Sequence, residues 1–285
     1  MHRKRGLHHA SLFIAFIADR RLRCGLLASA GVALAAPETW VSGTGSNTGD
    51  CPITAPCRTF RFAHDRTNNN GAINVLSSGN FGPLIITKPG TDNRGIGFAS
   101  GAALHVQDCV IRRASNGILF LVFSGTSELY VADTVVANSD ASGIIVAPSG
   151  SGSAKAVFDR VRVENGLGHG FSFSGSGTTG SITATVSDSV AAGNGNTGIF
   201  ANVGAGTTTV MIDRSASVNN ATGIRVRTSI QFPGGAATAR IGDSTVSGNT
   251  TGLDPELGGS ILSYGTNKVN DNGTDGAPTS TISMK

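Results

Sequence analysis

Residues 210–226 read VMIDRSASVNNATGIRV, and the order of residue types in this stretch decides the fold. An alternating apolar run (Val210, Ile212) ends at Asp213. A second short run (Ala216, Val218) ends at Asn219-Asn220, and a third opens on Gly223-Ile224-Arg225-Val226. The same order recurs upstream in LHVQDCVIRRASNGILF from Leu104, LYVADTVVANSDASGIIV from Leu129, AVFDRVRVENGLGHGFSF from Ala156 and ATVSDSVAAGNGNTGIF from Ala184. It recurs downstream in ARIGDSTVSGNTTGL from Ala239. The Gly of each Gly-apolar pair stands at 95, 117, 143, 170, 198, 223 and 252, in steps of 22, 26, 27, 28, 25 and 29 residues.

A period of that length marks a solenoid, a propeller or another array. The runs are short, β-rich and bounded by Gly, Asn, Asp and Ser, which excludes helical repeats. A leucine ladder is absent, and propeller blades need four longer strands in roughly 40 residues. The remaining solution is a coil of about 25 residues with three short strands, stacked in parallel as a β-helix. Alternation turns Ile212, Val218, Ile224 and Val226 inward, with Val131, Ile144, Val186, Ile199 and Ile241 above or below them at about 4.8 Å. The expected stack is a single domain of about eight or nine coils, on the order of 40 Å long.

Each corner of the coil has its own expected column. Asp108, Asp133, Asp159, Asp188, Asp213 and Asp243 form one turn ladder, with each Asp bonding its own backbone. Stacked carboxylates repel, and Arg160 and Arg214, which directly follow two of them, supply countercharge. Calcium is the one cofactor this column suggests; no organic cofactor is expected. Asn138, Asn165, Asn194, Asn219 and Asn249 mark the second corner, where amides stack into ladders and tolerate a left-handed backbone. The Gly column is expected at a third corner, where a Cβ would be strained.

Residues 1–36 stand outside this pattern. Arg3, Lys4 and Arg5 precede a short apolar run, and Arg20, Arg21 and Arg23 precede CGLLASAGVALAA. A basic region, an apolar stretch and Ala33-Leu34-Ala35 describe a cleavable export signal, with cleavage after Ala35. The expected localisation is secreted, periplasmic or cell-surface. The leader holds six of the 22 Lys and Arg and one of the 18 Asp and Glu, so the mature chain carries 16 against 17. The basic balance belongs to the leader, and no basic run remains for a nucleic acid. No integral membrane segment is expected in the mature chain. Cys51 and Cys57 bracket PITAP and are expected to pair, as export permits. Cys109 reads as a small buried residue rather than a nucleophile.

The stretch from Trp40 differs from the repeats. WVSGTG from Trp40, APCRTF from Ala55 and GAINV from Gly71 resemble the entry segment of secreted bacterial right-handed parallel β-helix proteins of the pectin-lyase-like superfamily. The repeats are similar to that family's coil as well, so the resemblance spans roughly residues 40–276. It implies a right-handed helix closed by an N-terminal cap, with the cap and first coil over residues 37–90 and a cap helix near residues 58–64. An open terminal coil would otherwise offer a free strand edge. Thr87-Lys88-Pro89-Gly90 runs almost at once into Arg94-Gly95-Ile96, so one or two of the family's coils are expected to be missing there. The coils occupy residues 91–276, and residues 277–285 read as a flexible tail.

Chemistry has few candidates. Gly168-His169-Gly170 resembles the Gly-His-Gly of polygalacturonase-type hydrolases, but the carboxylates that such chemistry needs are not matched. His169 also occupies a repeat position held elsewhere by Ser142, Thr197, Thr222 and Thr251, which reads as a variable turn residue. Arg162 with Glu164, or Arg225 with Arg227, has the residue types of a lyase base and its neighbours, yet alternation places them outward as solvated charges. The outward position after each Gly-apolar pair holds Leu119, Ile145, Ser172, Phe200 and Arg225. Leu119, Ile145, Phe200 and Arg225 are the candidate ligand groove, unless loops cover them. The expectation is an exported repeat protein that contacts extracellular polysaccharide or a surface protein without catalysis. A lyase or hydrolase, implied by the resemblance alone, and a purely structural or adhesive rod are the alternatives.

Overall fold

The computed structural model describes residues 13–14, 36–77, 81–82, 85–86, 94–99, 101–229 and 234–284. Alternation builds its coils. Ser181–Ser187 buries every second residue, Ile182, Ala184 and Val186. After one turn, Val190–Ala192 buries Ala191; after a second, Thr197–Val203 buries Ile199, Ala201 and Val203. Three strands thus form three sides around one apolar interior.

Successive coils repeat this and pair in parallel, in register. Val186 lies between Phe158 and Ile212, and Ile199 between Phe171 and Ile224. Three sheets result. The parallel part of the first runs from Arg94–Phe98 to Thr251–Glu256, the second from Ile85–Ile86 to Lys268–Val269, and the third from Ala103–Gln107 to Ser280–Thr281. The fold is the parallel β-solenoid read from the repeats. It has six complete coils between residues 103 and 256, about 30 Å of stack, rather than eight or nine. The difference lies at the ends. Residues 36–75 form a separate two-stranded sheet with a helix, and Ile85–Ile86 and Arg94–Phe98 both lay onto the first complete coil as one partial coil.

The cap is built from the stretch that departs from the repeats. Ala36–Val41 pairs in parallel with Thr67–Val75. Between them Phe60–Arg66 is helical, with the Thr59 hydroxyl accepting from the Phe62 N–H. Cys51 and Cys57 are joined by a disulfide. Val41, Ala63 and Ile73 belong to the same apolar cluster as the coil interior. Two terminal segments extend the sheets beyond expectation. Phe13–Ile14, within the first 36 residues, pairs antiparallel with Gly97 and Ile96. In the tail, Ser280–Thr281 pairs with Leu262 and Ser263. An open strand edge accepts extended backbone wherever it can reach.

The corner columns are reassigned by the register. The left-handed position of the first corner holds Asp108, Asp133, Arg160, Asp188, Arg214 and Asp243, with φ between 43 and 53°. Asp159 and Asp213 sit one residue earlier, at strand ends opposite Ala132, Ser187 and Gly242. The expected single Asp ladder is therefore two columns, and in the turn column the charge alternates from Asp133 onward. The Arg160 guanidinium grips Asp133 at 2.6 and 2.9 Å, and Arg214 grips Asp188 at 3.0 and 2.8 Å. Each Arg also pairs with the Asp before it. These guanidiniums hold the Asp133 and Asp188 carboxyls below their usual range. Next to this column, inside the corner, the Ser189 N–H donates to Ser215 Oγ at 3.1 Å and the Ser215 N–H to Ser244 Oγ at 3.1 Å.

The Asn column also divides. Asn138, Asn165 and Asn219 take the left-handed position, which Gly193 and Gly248 fill in other coils. The next residue forms the amide ladder: Asn194, Asn220 and Asn249, which are buried, and the half-buried Asn272.

The Gly column has a different reason from the expected one. None of its members has the positive φ that would require glycine. A Cβ at Gly143 would lie 2.1 Å from Val163 Cγ1 and 3.0 Å from the Gly170 carbonyl oxygen. At Gly170 it would lie 2.6 Å from the Gly198 carbonyl oxygen. Glycine is required here by close approach of the next coil and the second-sheet side chains. Gly143→Ala is expected to lower stability by about 1–3 kcal/mol through overpacking, read as a lower urea midpoint. Val163→Ala in the same chain should soften the effect of adding the methyl. Equal effects of the Gly143 substitution with and without Val163→Ala would contradict this account.

Candidate functional site

The outward residues of the first sheet form two straight rows, because the strands stack without slip. The first row is Gly97, Leu119, Ile145, Ser172, Phe200, Arg225 and Asp254. The second, two residues later in each strand, includes Leu121, Ala147, Asn202, Arg227 and Glu256, with Ser174 opposite Asn202. Along the second row the chemistry passes from apolar through hydroxyl and amide to charged, and the first row ends on the charged pair Arg225 and Asp254.

The first row is largely closed. Leu119 is 8% exposed, and Phe200 is 6% exposed although it points outward. Neither offers an open groove contact as expected. The cover over Phe200 is made of side chains. The His169 ring stacks on it at 4.5 Å and 8°, and the Arg227 guanidinium lies 5.2 Å from its centroid. Ile145 and Arg225 are half-buried. Arg225 is held by Asp254 at 2.7 Å and by Glu256 at 3.5 Å.

The three catalytic candidates do not form one constellation. Arg162 and Glu164 stand on the second sheet and bond each other at 3.0 Å. His169 belongs to the turn before the first sheet, where its Nδ1 accepts from the Thr197 N–H at 3.4 Å. That bond leaves the proton of the neutral ring on Nε2. Burial, and then the charges of Arg225 and Arg227, pull its pKa down from 6.5 to about 4. His169 is thus a neutral imidazole at ordinary pH, packed as a lid on Phe200. Cys109 is half-buried, with its Sγ 3.3 Å from the Gln107 carbonyl oxygen. Among the described residues no group of three or more His, Cys, Asp and Glu is placed to hold a metal ion. Among them, too, no helix is long and apolar enough to cross a membrane.

Residues 176, 202, 203, 227, 228, 229 and 257 line a cleft of about 300 Å³ at the end of the second row. The outward strip after each Gly-apolar pair was legible in the sequence, but Asn202, Asp254 and Glu256 were not singled out. Their signal is the same alternation carried one step further along each strand. Comparison with protein-family models, with curated proteins and with solved structures finds no match.

The depressed His169 pKa has a consequence for stability. Between pH 6.5 and about 4 the unfolded chain binds this proton and the folded chain does not, so stability falls as pH drops through that window. His169→Gln should remove that share of the loss. Urea midpoints at the two ends of the window are expected to separate more in the parent than in the variant. Equal separation, or a ring titrating near 6.5 by NMR, would contradict the packing of His169 on Phe200.

Proposed function

We propose that the chain is an exported repeat protein of the pectin-lyase-like kind that binds extracellular polysaccharide along the outer face of its first sheet. Export rests on the basic and apolar leader ending at Ala33-Leu34-Ala35. The kinship rests on the entry motifs and on the parallel coil. Bacterial origin and a right-handed coil follow from the same resemblance. The binding role rests on one observation: the second outward row changes from Leu121 and Ala147, through Ser174, to Asn202 and Arg227. A polymer lying across the coils would meet apolar, hydroxyl and cationic groups in that fixed order, at the spacing of a parallel sheet. Straight rows suit an extended ligand because each coil adds one contact at a regular spacing.

The reading assigns binding and no bond cleavage. Arg162 is committed to Glu164, and Arg225 to Asp254 and Glu256, so neither serves as an uncommitted base. Affinity electrophoresis against a panel of acidic and neutral polysaccharides, with and without calcium, tests it. At least one polymer should retard the chain. Ser174→Glu, in the middle of the row, should weaken that retardation roughly tenfold, whereas Thr183→Glu on the third sheet should leave it unchanged. Retardation by no polymer, or equal loss in both variants, would overturn the proposal.

A further inference from the structure

Most charged and amide side chains on the coils are committed. Arg160, Arg162, Arg214 and Arg225 are each paired with carboxylates. The ladder amides of Asn194, Asn220 and Asn249 are bonded through both oxygen and nitrogen. Asn202 and Arg227 depart from this together. They are register partners on adjacent strands. Asn202 Oδ1 is buried and has no hydrogen-bond partner. The bond that this residue makes is through its backbone carbonyl, which accepts from the Thr208 hydroxyl at 2.8 Å. Arg227 makes no ion pair among the described residues; its facing partner Glu256 is turned to Arg225 at 3.5 Å. Both residues line the same cleft of about 300 Å³, whose apolar side carries the exposed Leu257 and whose rim carries Ser176.

A buried amide oxygen with no partner stands beside a guanidinium that packs on Phe200 but carries no ion pair among the described residues, and a buried unpaired amide oxygen is unfavourable. A ligand that completes them must offer two things. The guanidinium fork calls for a planar or tetrahedral oxyanion. The amide, which no protein hydrogen bond locks in either orientation, calls for a hydroxyl that can both donate and accept. The charge must be single, since Arg225 beside it is already neutralised by Asp254 and Glu256. The volume, at the small end of ligand clefts, holds one unit rather than a chain.

We infer that this cleft is a discrete site for one monosaccharide-sized, singly charged hydroxy acid, with Arg227 on the anion and Asn202 on the neighbouring hydroxyl. Leu257 contacts the carbon skeleton. The site does not depend on polymer binding along the row, since a free small acid suffices to fill it.

The test is an NMR titration of the full chain with four probes: glucuronate, glucose 6-sulfate, glucose, and acetate. Glucuronate or the sulfate ester, or both, should shift the amides of residues 202 and 227 saturably. Whichever binds tells whether the anion is a carboxylate or a sulfate. Glucose, which lacks the charge, and acetate, which lacks the hydroxyls, should bind roughly tenfold more weakly or worse. Arg227→Gln should abolish the preference for charged sugars over glucose, and Asn202→Ala should abolish the preference for glucuronate over acetate, both with an unchanged urea midpoint. Should either variant unfold, Arg227→Lys, which keeps the charge and loses the fork, should bind more weakly than the parent. No saturable shift from either charged sugar, or equal binding of glucose and glucuronate, would overturn the inference. Polysaccharide retardation with no response to the small acids would overturn it while leaving the proposed function standing.

Discussion

The interaction on which this stack depends is the buried amide ladder at one corner. The Asn194 N–H and Nδ2 both donate to Asn220 Oδ1, at 2.9 and 3.0 Å. Asn220 does the same to Asn249 at 2.9 and 3.1 Å, and Asn249 to Asn272 at 3.0 and 2.8 Å. Each amide in turn donates back to a carbonyl near the corner, as Asn194 Nδ2 does to Val163. A slip of one residue would turn every inward side chain outward and would also orphan these groups, at about 1–3 kcal/mol each. Burial favours the coil, and the ladder makes one register of it better than any other.

The ladder does not run the whole length. Below Asn194 its column continues as Gly166, whose N–H still donates to Asn194 Oδ1, and then Ser139, whose hydroxyl is buried without a partner. There the interior is aromatic. Phe98 stacks on Phe120 at 4.4 Å, and Phe158 meets Phe171 and Phe173 edge-on. Both halves share the strand pairing; in one the interior adds ring packing, with little directional preference, and in the other the corner adds amide hydrogen bonds that specify position. The candidate site lies over the hydrogen-bonded half. Straight outward rows, a fixed distance between Asn202 and Arg227, and a stable cleft wall all need coils that do not slide. The left-handed Arg160 and Arg214 illustrate a similar trade at the opposite corner. A residue type uncommon at positive φ is retained where it separates stacked carboxylates.

The coil, its three short strands and the inward columns were legible in residues 210–226, because period-2 alternation and corner residues leave few alternatives. The corner chemistry was less legible for a definite reason. Asp159-Arg160 and Asp213-Arg214 are adjacent pairs, and a column drawn by residue type picks the Asp, while the backbone places the Arg in the left-handed position. Asn219-Asn220 hides the same choice, with one residue turning the chain and the next forming the ladder. The outward row through Leu119 and Phe200 was correctly placed, but its closure was not. The stacking of His169 on Phe200 joins a turn residue of one coil to a strand residue of the next, and nothing in the linear pattern announces it. Asn202 escapes for a related reason, since lacking a hydrogen-bond partner is a property of surroundings rather than of spacing.

The most direct test of the register argument is residue-resolved amide hydrogen exchange. The backbone N–H groups of Asn194, Asn220 and Asn249 sit in corners, where exchange is ordinarily fast, yet each donates to a side-chain amide oxygen of the next coil. The account predicts that they exchange as slowly as the strand interiors of the third sheet, such as Val186 and Ile212, and open together with them. Fast, independent exchange at these three corners would show that the coils are held by packing alone and that the ladder does not set their register.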